Sequence, residues 1–262
     1  MFFSLPTWAV GLIVFAIIGA ATTAGYVTGR YLREHEASLR EPYGVLQGAL
    51  LGVVGLLLAF GLSLALGRYE DRRAALVNEA NAIGTSYLRS QLLAEPVRTR
   101  SLQLWPRYAD LAIRVTKEVP SSGAMHRTTA GEEVLQRRLW RLGGEAVGAA
   151  PLATAPRLYQ ESLNATFDAQ AARLSALNNR VPGAVLALEV FGAAVALGLL
   201  ALHISLHGRG LIAMVGATIL VTLLLLVIFD LDRPARGLIK VPATPLTSVR
   251  ASMIPPPAAQ GP

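Results

Sequence analysis

Residues 56–84 read "LLLAFGLSLALGRYEDRRAALVNEANAIG" and contain two kinds of helix in one unbroken stretch. The first half closes an uncharged run that begins after Glu41, and Arg68, Glu70, Asp71, Arg72, Arg73 and Glu79 then follow in close succession. A helix needs an uncharged run of roughly 20 residues to cross the hydrocarbon core. The charges from Arg68 onward therefore mark a membrane exit. Beyond it Leu76, Ala80, Ile83 and Tyr87 recur at helical spacing, so the span is expected to leave the bilayer as one long amphipathic helix.

Composition agrees: of 262 residues, 53% are hydrophobic and 16% charged, which is the composition of a membrane protein. The 24 Lys and Arg against 17 Asp and Glu leave a net charge of +7. Such an excess suits nucleic acid or the anionic inner face of a membrane. No zinc-finger spacing or RNP-like aromatic strand accompanies it, so no nucleic-acid partner is expected and the lipid bilayer is. With no cysteine in the chain, disulfides, thiol catalysis and Cys-ligated metals are excluded.

Gaps between charges place four spans, at about residues 7–28, 45–66, 182–206 and 210–229. The first has no basic residue before its apolar core and a core too long for a signal peptide, so it reads as an anchor. Arg68, Arg72, Arg73, Arg173, Arg180, Arg233, Arg236 and Lys240 flank one side, and Arg30, Arg33, Arg40 and Arg209 the other. The positive-inside bias then puts both termini on the cytoplasmic side of a multi-pass membrane protein. The fold class expected is an all-α membrane protein with a helical cytosolic domain inserted between the second and third spans.

That organisation reads as residues 1–67 for two spans, 68–180 for the insert, 181–240 for two more spans and their inner flank, and 241–262 for a disordered tail rich in proline. Within the insert, a helix over 98–117 is expected to kink or restart at Pro106. "PSSGAMHRTTAGE" (residues 120–132) reads as a flexible connector. "EEVLQRRLWRLGGEAV" reads as a helix stopping at Gly143 and Gly144, and residues 156–179 as another helix. Period-two alternation is absent.

Three motifs carry a resemblance. "LLLAFGLSLALGRYEDRRAALVNEANAIGTSYLR", "LNATFDAQAARL" before a proline-led span, and "FDLDRPARGLIKV" after the last span together resemble the bestrophin-like family of prokaryotic membrane proteins, a domain of unknown function related to bestrophin anion channels. The resemblance implies a homo-oligomer, a pentamer as in bestrophins, that passes inorganic anions. It also implies a pore constriction on the second helix, at the position of Phe60, and an Arg-aromatic run at Arg68 and Tyr69. Bestrophins bind calcium through an acidic cluster after the last helix. Here that region offers only Asp230 and Asp232, followed by Arg233, and Ala235 stands where an aromatic is expected.

Candidate residues follow from chemistry as well. Phe60 with Leu56, Leu57 and Leu64 would form an apolar constriction of the kind that gates by dewetting. Arg68, Arg72 and Arg73 would supply positive charge at its inner mouth. Gly48, Gly52, Gly55 and Ala59 form a small-residue stripe suited to close helix packing, either between helices or between neighbours in a ring. Glu79, Asn81, Asn164 and Asp168 are expected to meet arginines such as Arg173 in a structural network. Glu189 is the one acid inside an apolar span, there either to snorkel, to pair with Arg68 or to serve a function. His203 and His207 lie four apart without a third ligand nearby, so no metal or other cofactor is expected.

No P-loop, dinucleotide turn, HExxH or GxSxG motif appears, so no enzyme is expected. Two functions stay open: one is an oligomeric ion channel for anions; the other is a non-conducting membrane scaffold or sensor whose cytosolic helices bind a protein partner.

Overall fold

The computed structural model describes residues 6–35, 40–207 and 210–253. These residues form helices and connectors, without a strand: α1 (Thr7–His35), α2 (Arg40–Ser90), α3 (Val97–Val115), α4 (Gly123–Ala149), α5 (Thr154–Asn178), α6 (Gly183–His207), α7 (Leu211–Leu231) and α8 (Thr244–Ser252). Among them α1, α2, α6 and α7 contain stretches long and apolar enough to cross a membrane. Arg209 and residues 254–262 of the tail lie outside the described residues.

Two compact units divide the chain, Met1–Arg68 with Arg180–Ile239 and Tyr69–Asn179 with Lys240–Pro262. In the first unit, glycines let backbones approach. A Cβ on Gly25 would overlap the carbonyl oxygen of Gly198, and one on Gly29 would overlap Ser205 Oγ. These contacts run in the same chain direction, so α1 and α6 are parallel. Gly11 meets Leu226 and Thr22 meets Thr218, which makes α7 antiparallel to α1. The hydroxyls inside the span are satisfied locally: Thr22 donates to Ile18 O at 2.8 Å, Thr218 to Met214 O at 2.9 Å and Thr222 to Thr218 O at 2.7 Å. With no water to satisfy them, polar groups in hydrocarbon need such internal partners. Large apolar side chains, among them Trp8, Phe15, Phe191 and Ile212, face outward.

The second unit has the opposite arrangement. Leu76, Ala80, Ile83 and Tyr87 of α2 meet Trp105 and Tyr108 of α3, Leu135 and Leu139 of α4, Tyr159 and Leu163 of α5, and Leu246 of α8 in one apolar core. Trp105 and Tyr108 pack edge to face at 5.7 Å, a favourable geometry for two ring quadrupoles.

Several local expectations are corrected here. α3 runs through Pro106 without restarting; one backbone hydrogen bond is lost, and the buried Trp105, Tyr108 and Ala109 around it hold the helix. Most of the supposed connector is helix: Ser122 Oγ accepts from Met125 N at 3.2 Å as an N-cap, and Met125 and Thr128 are buried. Gly143 and Gly144 do not end α4. Gly143 is instead a close-approach point, where a Cβ would run into Gln160 Oε1. The proline-rich tail is not disordered throughout, because residues 244–252 form α8. Pro245 sits at its start, where proline is tolerated, Leu246 is buried, and Arg250 pairs with Asp110 at 2.8 Å.

Candidate functional site

Successive helical residues advance about 100° around the axis, so α2 presents three faces through its apolar half. Val54, Leu58, Gly61 and Ala65 are buried within the unit. Leu56, Phe60 and Leu64 lie about 120° around the helix from them and are exposed, Phe60 to 60%. Leu57 is half-buried at the edge between these two faces. Gly48, Gly52, Gly55 and Ala59 form the third face, also exposed, and a Cβ added at any of the three glycines would meet nothing within 4 Å. The stripe therefore does not pack against helices of its own chain, and it lies beside the Phe60 face rather than opposite it.

The arginines beyond this span differ in setting. Arg68 is half-buried. Arg72 is buried, with Nη2 donating to the Asn179 carbonyl at 3.3 Å, whereas Arg73 is exposed and pairs with Glu70 at 3.5 Å. Arg72 is thus tied into its own unit by a backbone carbonyl.

Deeper in the second unit lies a buried ionic cluster. Arg173 pairs with Glu79 through Nε, lies 3.6 Å from Glu132 Oε1 through Nη2, and donates to Ala112 O through Nη1 at 3.0 Å. Gln170 Nε2 donates to Glu132 Oε2 at 2.9 Å. Nearby, Ser86 donates to Ser162 O at 2.8 Å and Thr166 to Ala82 O at 3.1 Å, joining α2 to α5. Burial raises the Glu132 carboxyl above its ordinary range, against the pull of Arg173 and the Gln170 hydrogen bond, while Glu118 and Glu133 push the same way as burial. One guanidinium thus faces two carboxyls.

Asn81, Asn164 and Asp168 are exposed and do not join this cluster. The buried stripe of α5 is Tyr159, Ser162, Leu163, Thr166, Gln170 and Arg173, and Asn164 is one residue, about 100°, away from Leu163. Asn164 instead lines a surface cavity of about 390 Å³ with Glu133, Gln136, Arg137, Trp140 and Phe167. Glu132 and Gln170 were missed because a charged residue in "GEEVL" and an amide in an alanine-rich run carry no sign of burial. The one available signal was phase: Glu132 precedes Leu135, Leu139 and Leu142 at helical spacing.

In the first unit, Glu189 of α6 is 2% exposed, and neither carboxylate oxygen has a hydrogen-bond partner. It neither snorkels nor pairs with Arg68. Its carboxyl lies directly against Gly61 of α2, where a Cβ would overlap it.

The segment after α7 closes on itself. Asp230 Oδ1 accepts from Leu238 N at 2.8 Å and from Thr7 Oγ1 at 3.3 Å, and Oδ2 accepts from Ile239 N at 2.7 Å. Asp232 Oδ1 accepts from Val181 N at 2.9 Å. Burial, with Arg180 and Arg236 nearby, lowers the Arg233 pKa, while Asp230 and Asp232 raise it. Calcium needs roughly 6–8 oxygens. Two carboxylates already accepting protein N–H and O–H groups, with the buried Arg233 close by in the chain, do not fit that ion. Among the described residues no three His, Asp or Glu gather as metal ligands.

Comparison with known proteins adds a family and a fold. The profile of the Bestrophin-like domain matches residues 12–246. Among solved structures, one variant of a bacterial bestrophin homolog from Klebsiella pneumoniae superposes with a TM-score of 0.69 at 12% identity, covering 92% of this chain and 97% of that one. A second variant gives 0.66 at 12% identity, covering 94% and 95%. A structure described as a membrane protein gives 0.68 at 10% identity, covering 95% and 99%. No curated protein matches the chain significantly. At such identities the structural likeness speaks for the fold.

Proposed function

Because the chain belongs to the Bestrophin-like family, we propose that it is an ion channel: identical copies surround a central path for small inorganic anions in the inner membrane. The observation that carries this reading is the second helix, which keeps two adjacent faces uncovered by its own chain. An uncovered glycine stripe suits close contact with the next copy. An uncovered Leu56, Phe60 and Leu64 face, about 120° around the helix, then turns to the axis and forms the constriction. Arg68, repeated around the ring, lowers the entry barrier for anions, with a smaller contribution from Arg73, whose charge is shared with Glu70. Both termini and the second unit lie on the cytoplasmic side, as the arginine bias requires, and a pentamer is the stoichiometry that the resemblance to bestrophins supplies.

Oligomeric mass in detergent tests the reading. A ring of several copies, held together by contacts that Gly52→Leu and Gly55→Leu abolish, supports it. A monomer or dimer refutes the central path. A second reading, a scaffold that docks a partner, draws support from the exposed Leu88 and Leu92 at the end of α2 and from Trp140 beside the cavity of the second unit.

A further inference from the structure

Glu189 is an ionisable group with every usual escape closed. Ion pairing is one: α6 packs among residues 7–25 of α1, 45–67 of α2 and 211–229 of α7, and none of those stretches contains a titratable side chain. The first such residues beyond them in sequence are Tyr26, Tyr43, Arg68, Arg209 and Asp230, with Arg180 and His203 on either side along the segment that carries Glu189 itself. Hydration is the second escape, closed by 2% exposure, and hydrogen bonding is the third, closed by two carboxylate oxygens without a donor.

The surrounding packing is shaped for the carboxyl. Gly61 leaves a notch on the buried face of α2 that any side chain would fill, and Glu189 occupies it. About two turns earlier on α2, Val54 lies against Gly192, one turn beyond Glu189 on α6, so a glycine of each helix lets the two approach beside the acid. An ionised carboxylate without a counter-charge is the most unfavourable occupant of such a place, whereas a neutral carboxylic acid is tolerated. The ligand that turns one into the other is a proton.

We propose that Glu189 is a proton-binding site within the membrane span, and that the neutral acid seated in the Gly61 notch is the form that holds α2 against α6. Loss of the proton drives the carboxylate out of the notch towards water and loosens α2 at that level. Gly61 is the residue after Phe60, so the loosening acts directly behind the constriction. This last consequence rests on the channel reading; proton binding does not.

The test is infrared difference spectroscopy of the full-length protein in liposomes, comparing the parent with Glu189→Gln across acid to alkaline pH. A carboxylic-acid C=O stretch present in the parent near neutral pH, absent from Glu189→Gln and lost from the parent at alkaline pH is the expected result. Identical spectra in that region across the whole range would overturn the proposal, since Glu189 would then be ionised throughout. Glu189→Asp guards against a variant that does not fold: it keeps the acid but withdraws it from the notch, and its C=O band should disappear at lower pH than in the parent. A Glu189→Asp band that titrates with the parent's would refute the role of the notch. Thermal melting gives a second readout. Glu189→Gln should melt like the parent at acid pH and above it at alkaline pH, and the reverse order would also refute the site. Halide flux measured on the same liposomes separates the two claims, because a band without any flux keeps the proton site and removes the channel.

Discussion

The two units bury their helices by opposite means. The first brings backbones together on glycines, Gly25 against Gly198 and Gly29 against Ser205, and turns its large side chains outward. The second turns Trp105, Tyr108 and Tyr159 inward and leaves most of its charges outside. In hydrocarbon, apolar side chains gain nothing by hiding from the solvent, so close backbone packing and internal hydrogen bonds must hold the helices. In water, the burial of large side chains is the main driving force. The acids differ as well: the second unit buries Glu79 and Glu132 around a guanidinium, whereas in the first Asp230 and Asp232 accept from backbone N–H groups and Glu189 is buried with neither carboxylate oxygen hydrogen-bonded.

The largest expected effect is in the ionic cluster. Arg173→Ala leaves two buried carboxyls facing each other and should destabilise the second unit by about 3–5 kcal/mol, as removal of one partner from a buried pair does. Thermal unfolding followed by tryptophan fluorescence reports it, because Trp105 sits in that core. A variant as stable as the parent would mean the cluster is not what orders α2, α4 and α5. Next is Gly25→Ala, whose methyl would overlap a carbonyl of α6. A loss of about 1–3 kcal/mol is expected, as for overpacking elsewhere, measured as a lower midpoint of unfolding in detergent. A neutral result would show that α1 and α6 are not in close contact, and the contrast between the units would weaken.

A subtler effect concerns pH. Burial holds the Glu132 carboxyl above its unfolded value of 4.5, so the folded state binds more protons than the unfolded one just above that pH. Its contribution to stability is therefore complete below 4.5 and is lost as pH rises through the raised folded value. Glu132→Gln should flatten that part of the stability profile, and an unchanged slope would contradict the assignment. The smallest effect is at Asn164 and Asp168. Exposed as they are, their replacement by alanine should change stability by less than about 0.5 kcal/mol; a loss comparable to that of Arg173→Ala would put them back in the cluster.

Much of this contrast was legible in the sequence. Four apolar helices follow from the spacing of charges, and the heptad-like run Leu76, Ala80, Ile83 and Tyr87 marks the buried face of α2 beyond the membrane. The bestrophin-like motifs name the family. What escaped has physical causes. The α1 and α6 glycines lie in stretches so uniformly apolar that no face stands out. In α5 the alanines blur the helical phase, so Asn164 and Asp168 looked as inward as Arg173. In α8 the flanking prolines dominate the composition, although Pro245 sits where a helix accepts it and Leu246 supplies the anchor. Glu132 looked like one more solvated charge. Glu189 stood out in the sequence, but its partner in space is a glycine, which has no chemistry of its own to advertise.

Whether the uncovered Phe60 face of α2 lines an ion path is decided by halide flux into liposomes, with Phe60→Ala protein and empty liposomes measured in parallel. Flux above the empty control is expected in the parent, with a changed rate in Phe60→Ala from an oligomer of equal mass. No flux from a stable oligomer in either protein, at any pH tried, would contradict it.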